Sequence, residues 1–260
     1  MTGWPEGVGR IYLEEAGSTN AEAMRFAAQG EDVPVWILAG RQTGGKGRRG
    51  RPWRTPEGNF AATLLTHTDA PPAEAAQRSF VAALALHDAL AGAIGQPGRL
   101  ALKWPNDVLL DGRKLAGILL ESSAAPGGGL TLCIGIGVNL VEVPEAAALE
   151  PGSLAPIALS QATGLRLTPG EFLDLLAPAY SDWEDVMAKG GFGAVRAVWQ
   201  SLAAHLGETI TARLPNATHR GVFEAIDETG ALVLTTDEGT LHLPAADVQF
   251  DGGRADASGD

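Results

Sequence analysis

Apolar and polar positions divide the chain into a long first part, mixing strand-like and helix-like segments, and a short last part of strands alone. Residues 9–15 read as a strand. The run Ser18-Thr19-Asn20-Ala21-Glu22 then predicts a helix to about Gln29, with Thr19 and Glu22 spaced as a capping box. Residues 34–41 are apolar through their middle, which predicts a central strand, and 59–66 read as a third. The alanine-rich stretch 73–94 has helical period. Residues 100–110 and 114–122 flank Asp111-Gly112, a turn pair between two apolar runs that predicts a hairpin, and 129–140 supply another strand. Strands that arrive by hairpin predict an α+β fold: a mixed, largely antiparallel sheet with helices packed on one face.

From residue 153 to about 205 the pattern is helical, with breaks at Gly164, Pro169 and Gly190-Gly191. Residues 208–213, 220–227, 231–236 and 240–243 are short strands separated by turns, the spacing of a small β-barrel. The expected organisation is a main unit over 1–206, a barrel over 207–250 and a polar, disordered tail over 251–260.

Composition narrows the function. The chain has 260 residues, 45% of them hydrophobic and 19% charged, which is enough to bury a full core. Its net charge of −12 argues against general affinity for nucleic acid, which rests on Lys and Arg. Cys133 is the only cysteine, so no intrachain disulfide forms, and its apolar strand suits a buried hydrophobe better than a nucleophile. The amino terminus lacks a secretory pattern, and the longest apolar run, Phe80 to Leu86, is too short to span a bilayer. A cytoplasmic protein without membrane partners is the expectation.

One segment reverses the charge. Between Val33 and Pro56 stand six basic residues and no acidic ones, and the stretch Gly40 to Arg54 contains five glycines. A cationic, glycine-rich loop suits phosphate or carboxylate. Two familiar signatures fail there. Gly40-x-x-x-x-Gly45-Lys46 is followed by Gly47 where a P-loop needs Ser or Thr, and Gly45-x-Gly47-x-x-Gly50 runs into Pro52-Trp53 rather than a helix. The five histidines show no ligand spacing, His87-Asp88 reads as an exposed polar pair, and no metal site is expected. No nucleophile elbow occurs.

Three further segments set polar groups into apolar strands: Lys103-Trp104-Pro105-Asn106-Asp107, Lys114 to Glu121, and Gly135-Ile136-Gly137-Val138-Asn139. Lysines in such strands call for an anion. Plainer roles stay open. Ser18 and Thr19 also suit a helix cap, Lys103 and Lys114 suit a strand edge, and Asp107 suits a turn.

Taken in order with Ser18-Thr19-Asn20 and Gln42-Thr43-Gly44-Gly45-Lys46-Gly47-Arg48-Arg49-Gly50-Arg51-x-Trp53, these segments make the chain resemble the catalytic part of biotin protein ligases. The resemblance spans residues 18 to 139, and the barrel-like end is similar to that family's small SH3-like domain. It implies ATP-dependent formation of biotinoyl-5'-AMP and transfer of biotin to a lysine of a biotin carboxyl carrier protein. By the resemblance, biotin is held by Ser18, Thr19, Asn20, Gln42, Gly45, Lys46, Gly47, Arg48, Lys114 and Gly117. The nucleotide is held by Arg48, Arg49, Arg51, Trp53, Lys103, Asn106, Asp107 and Asn139. Lys114 and Arg48 are the implied catalytic residues, the loop is a mobile lid, and Mg2+ arrives on the triphosphate of ATP. A homodimer is compatible with it. Lys46 stands where the family commonly has arginine, which removes a planar fork. Nothing before Arg10 predicts a DNA-binding helix-turn-helix. The runner-up activity is a lipoate or octanoate ligase or transferase, which should show a conspicuous histidine absent before His67. A silent biotin- or nucleotide-binding sensor is the non-enzyme alternative.

Overall fold

The computed structural model describes residues 3–31, 33–143 and 154–250; the predicted tail at 251–260 lies outside them. Strands β1 (Gly9–Ala16) and β2 (Val35–Gln42) pair in parallel, because helix α1 (Thr19–Ala28) carries the chain back across the sheet. β3 (Phe60–Thr68), β4 (Leu100–Lys103), β5 (Asp107–Leu110), β6 (Arg113–Ala124) and β7 (Leu130–Val138) complete a seven-stranded sheet in the order β1-β2-β3-β7-β6-β5-β4. Every pairing in it except β1 with β2 is antiparallel.

Strand alternation separates the two faces. Phe60, Ala62 and Leu64 of β3 and Leu132, Ile134 and Ile136 of β7 point to one side. There they meet α3 (Arg78–Ile94) and α5 (Pro169–Ser201) in a core that includes Trp36, Leu84, Phe172 and Leu176. Each such side chain contributes about 1.5–3 kcal/mol by leaving water. The opposite side holds a smaller cluster, Val35, Ile37, Leu65 and Cys133 against Ala23 of α1. Because α1 is short, it leaves the rest of this second face open.

Several expectations are adjusted. The helix expected over 73–94 is two, α2 (Pro72–Ala76) and α3, and α3 ends at Gly95 with φ 66°. The expected breaks occur at Gly164, which ends α4 (Leu159–Thr163) with φ 75°, and at Gly191, whose φ of 66° kinks α5. Thr168 and Glu171 form a capping box that starts α5. His87 is not exposed: it is buried at 5% exposure, while its neighbour Asp88 accepts a 2.8 Å bond from Trp183 Nε1 of α5. Residues 100–110 are not one strand, because Trp104-Pro105-Asn106 turns the chain back so that β4 pairs with β5.

The last part forms a five-stranded antiparallel sheet from β8 (Thr209–Arg213), β9 (Thr218–Ile226), β10 (Leu232–Thr236), β11 (Gly239–Leu243) and β12 (Asp247–Phe250), in the order β11-β10-β9-β8-β12. It is joined to the main sheet by Trp104 Nε1 donating to Gly230 O at 3.1 Å and by Leu102 exchanging backbone bonds of 2.8 Å with Leu202 and Ala204. These ties set β8 and β12 beside the open face. No helix among the described residues is long and apolar enough to cross a membrane.

Candidate active site

The open face is floored by small residues brought into line by register. Ala39, Ala61, Gly137, Gly117 and Asp107 lie abreast across five strands, and Ile37, Thr63, Gly135 and Leu119 form the next row. With so little side chain above the sheet, a cavity of about 710 Å³ opens, bounded by the main sheet, the basic loop and the edge of the last sheet. That volume is typical of small-molecule sites.

One end of the cavity is neutral and hydrogen-bonding. The expected capping box does not form: Ser18 is the N-cap of α1 without a side-chain cap bond, and Glu22 pairs with Arg25. Thr19 instead faces the sheet. Its backbone N–H donates to Gln42 Oε1 at 2.9 Å, so a side chain from β2 satisfies an orphan donor of the helix. Its hydroxyl lies 2.8 Å from that of Thr63. Asn20 is 5% exposed and donates through Nδ2 to Glu121 Oε2 at 2.7 Å and Leu119 O at 3.2 Å. Its Oδ1 accepts from Thr63 at 2.6 Å. A β-carbon at Gly135 would sit 2.3 Å from that Oδ1, so glycine is what admits the Asn20 side chain.

The other end is charged. Lys103 and Asp107 are directly paired across β4 and β5, and a bulge in the β5–β6 pairing between Val108 and Leu109 sets Lys114 and Gly117 on the same side. Lys103 is therefore not remote from Lys114, as a single long strand would have made it. Asp107 Oδ1 lies 2.7 Å from Lys114 Nζ, and Asp107 Oδ2 lies 4.0 Å from Lys103 Nζ. Burial pushes the Asp107 carboxyl up, but Lys114, Lys103 and Arg48 outweigh it and hold the group below its ordinary value. Burial lowers the Lys103 ammonium despite the attraction of Asp107. Asp107 is thus a buried counter-ion rather than a turn residue.

The basic loop, expected as a lid, is folded over both ends. Gly47 N donates to Arg51 O at 2.7 Å and Trp53 N to Gly45 O at 2.9 Å, around a tight turn at Arg48–Gly50. Arg49 and Arg51 both pair with Asp247 of β12, and the Arg48 guanidinium is 3.4 Å from Ala246 O. Burial lowers the Arg48 value, with Asp247 the largest opposing influence. The Trp53 indole lies on the glycine floor: a β-carbon at Gly137 would be 2.3 Å from its Nε1, and Lys114 Nζ is 5.5 Å from its ring centre.

All the residues singled out in the sequence line this cavity except Gly45. Gly45 lies behind the wall, where a β-carbon would meet Gln42 Nε2 at 2.1 Å and Trp53 O at 2.5 Å. Asn106 and Asn139 stand on the wall but spend their amides on Ile118 O and Ile157 O. Sequence reasoning missed Thr63 and Asp247, and it did not separate Gly135 and Gly137 from their motif. The alternation Gly-x-Gly on one face of an apolar strand was the available signal for the glycines. Cys133 is buried beside α1, with its thiol pushed up to about 12 by burial and by Glu121, which suits packing and not attack.

Comparison with known proteins identifies this arrangement. The profile of the Biotin/lipoate A/B protein ligase family matches residues 18–139, and that of the biotin protein ligase C terminal domain matches 205–251. A biotin--[acetyl-CoA-carboxylase] ligase of Paracoccus denitrificans is 50% identical over 92% of this chain and 100% of its own length. The chain belongs to the biotin protein ligase family. The bifunctional ligase/repressor BirA of Bacillus subtilis is 32% identical over 92% of this chain and 73% of its own. Among solved structures, the biotin protein ligase from Aquifex aeolicus in complex with biotin and ATP superposes with a TM-score of 0.79 at 26% identity, covering 93% of this chain and 97% of that one. The first profile also covers lipoate ligases, and the second profile together with the Paracoccus relative narrows the chemistry to biotin.

Proposed function

We propose that the chain activates biotin with ATP to biotinoyl-5'-AMP, releasing pyrophosphate, and passes the biotinoyl group to a lysine of a biotin carboxyl carrier protein. One observation carries this reading: a single cavity joins a neutral hydrogen-bonding end at Thr19 and Gln42 to a cationic end at Lys114, Lys103 and Arg48. Biotin has that polarity, a uncharged ureido ring on a tail that ends in a carboxylate. In this reading Ser18, Thr19 and Gln42 meet the ring, Asn20 holds the wall behind it, and the tail runs past the Trp53 indole toward Lys114.

Lys114 then stands between the carboxylate and the α-phosphate, and Arg48 covers them from the loop. Carboxylate attack on phosphorus brings two anions together and builds charge on the phosphoryl oxygens, which fixed cations offset without a covalent enzyme intermediate. Asp107 keeps Lys114 and Lys103 in place by pairing with both. Arg49, Arg51, Trp53, Asn106 and Asn139 border the nucleotide's share of the cavity, with Mg2+ supplied on the triphosphate. In the second step the lysine amine attacks the acyl carbon and AMP departs, so a loop folded over the mixed anhydride protects it from water. Cytoplasmic location fits a lone buried thiol in Cys133.

A lipoyl or octanoyl chain offers no ring N–H or ureido oxygen, leaving the Thr19–Gln42 end unmatched. The test is ATP–pyrophosphate exchange with biotin or lipoate, followed by incubation with ATP, biotin and an apo carrier domain. Biotin-dependent exchange and a labelled carrier are expected. Exchange with lipoate alone, or binding without turnover, would overturn the reading.

A further inference from the structure

The bonds at the neutral end have directions that follow from which groups can donate. Glu121 Oε2 and Leu119 O only accept, so the Asn20 atom facing them is Nδ2 and the atom facing Thr63 is Oδ1. Asn20 Oδ1 only accepts, so the single Thr63 hydroxyl proton goes to it. The Thr19 hydroxyl proton then has two acceptors, Thr63 Oγ1 at 2.8 Å and Gln42 Oε1 at 3.2 Å, and the shorter contact takes it. Gln42 is fixed independently: its Oε1 takes the Thr19 backbone N–H at 2.9 Å, and its Nε2 donates to the buried Thr55 hydroxyl at 3.4 Å. With its proton turned inward, Thr19 shows the cavity oxygen lone pairs alone. A neutral acceptor thus stands at this end of the cavity.

We propose that Thr63 is a positioning residue for substrate choice: with Asn20 and Glu121 it orients the Thr19 hydroxyl as an acceptor for a ring N–H of the substrate. This rests on the biotin reading above and goes beyond it in assigning roles to Thr63 and Glu121, neither of which needs to touch the ligand. Thr63 is fully buried at 0% exposure and Glu121 is at the surface, so the chain of bonds runs from solvent to the ring site. Thr63 is the one polar residue in the run Phe60–Leu65 and is paired with Gly135, the glycine that admits Asn20.

The experiment is pyrophosphate exchange with the full chain, using biotin and a ring-N-methylated biotin as probes. Thr63→Val is expected to raise KM for biotin about tenfold or more and leave KM for ATP and kcat within about threefold, because only ring recognition is lost. Thr63→Ser should restore KM, since it returns the proton. Discrimination between the two probes should collapse in Thr63→Val and persist in Thr63→Ser. Glu121→Lys, at the exposed end, should raise KM about fivefold or more by removing the shorter of the two acceptors that hold the Asn20 amide in place. Wild-type KM in folded Thr63→Val, failure of serine to rescue, or unaltered probe discrimination in either loss variant overturns the proposal. If Thr63→Val does not fold, wild-type KM and discrimination in Glu121→Lys overturn it. A wild-type protein that exchanges nothing with biotin overturns the biotin reading itself, and this proposal with it.

Discussion

Replacing Gly137 with alanine isolates the part played by the bare floor. A β-carbon there would sit 2.3 Å from Trp53 Nε1 and 2.5 Å from Cε2. Non-bonded heavy atoms pack at about 3.5–4.0 Å, so the indole must withdraw by roughly 1 Å or more. Gly137 lies in a regular strand and has no positive φ, so alanine adds volume without backbone strain. Withdrawal is opposed by the Trp53 N to Gly45 O bond of 2.9 Å and by the ties from Arg49 and Arg51 to Asp247. Overpacking of this kind costs about 1–3 kcal/mol, which corresponds to roughly a 5- to 150-fold loss in kcat/KM when the closed loop bears it.

The assay is biotin-dependent pyrophosphate exchange, with thermal melting alongside. The indole belongs to a loop and not to the core between α3, α5 and the sheet, so Tm should fall by no more than about 4 °C. The decisive control is the same substitution in a Trp53→Ala background, where the alanine at 137 has nothing to displace and its penalty should vanish. Wild-type kcat/KM in Gly137→Ala, or an equal penalty without the indole, would refute the account of why this position is glycine.

Gly135→Ala should behave differently, losing stability as well as biotin affinity in melts and exchange assays, because Asn20 Oδ1 at 2.3 Å is bonded into its network and has no room to retreat. Lys114→Ala should abolish pyrophosphate exchange while leaving the circular dichroism spectrum unchanged; near-normal turnover would remove Lys114 from the chemistry. Asp107→Ala should cost about 3 kcal/mol by leaving Lys103 without its counter-ion, read by denaturant melts. The sign in pH follows from the held-down carboxyl: its contribution is complete above the ordinary value of 3.8 and fades as pH falls below that, so the gap between wild type and variant should be flat from neutral pH and close only in acid. Asp247→Ala should change kcat/KM for biotin or ATP only a few-fold, since its partners Arg49 and Arg51 are 40% and 38% exposed and such pairs contribute about 0–1 kcal/mol each.

What the sequence made legible was decided locally. Strand periods, the Asp111-Gly112 turn and the clustered cations lie within short windows, and all but one of the site residues read from them line the cavity. What it concealed depends on partners far along the chain. Thr19 and Glu22 have capping-box spacing, yet Thr19 is drawn to Gln42 and Thr63, contacts of 23 and 44 residues' separation. Thr63 alone looks like an ordinary β-former in Ala61-Ala62-Thr63-Leu64, and only register sets it under Asn20. The bulge in the β5–β6 pairing is likewise invisible until the strands are paired, and it is what turns Lys114 toward Asp107. β12 was missed because its four residues carry little period, and with it went Asp247.

The two ends of the cavity answer different questions about the same substrate. The cationic end handles a carboxylate and phosphates, which biotin, lipoate and octanoate present alike once ATP is bound, so nothing in Lys103, Asp107 or Lys114 selects among acyl donors. Selection has to come from the neutral end, where a hydrogen-bonding site left empty by a purely apolar ring forfeits more than a misfitted methylene does. There the protein has committed its own polar groups beforehand: Asn20 is spent on Glu121, Leu119 and Thr63, and Gln42 Oε1 is spent on Thr19. Those commitments leave an acceptor at Thr19, which a ring N–H of a cyclic urea satisfies and a dithiolane ring does not.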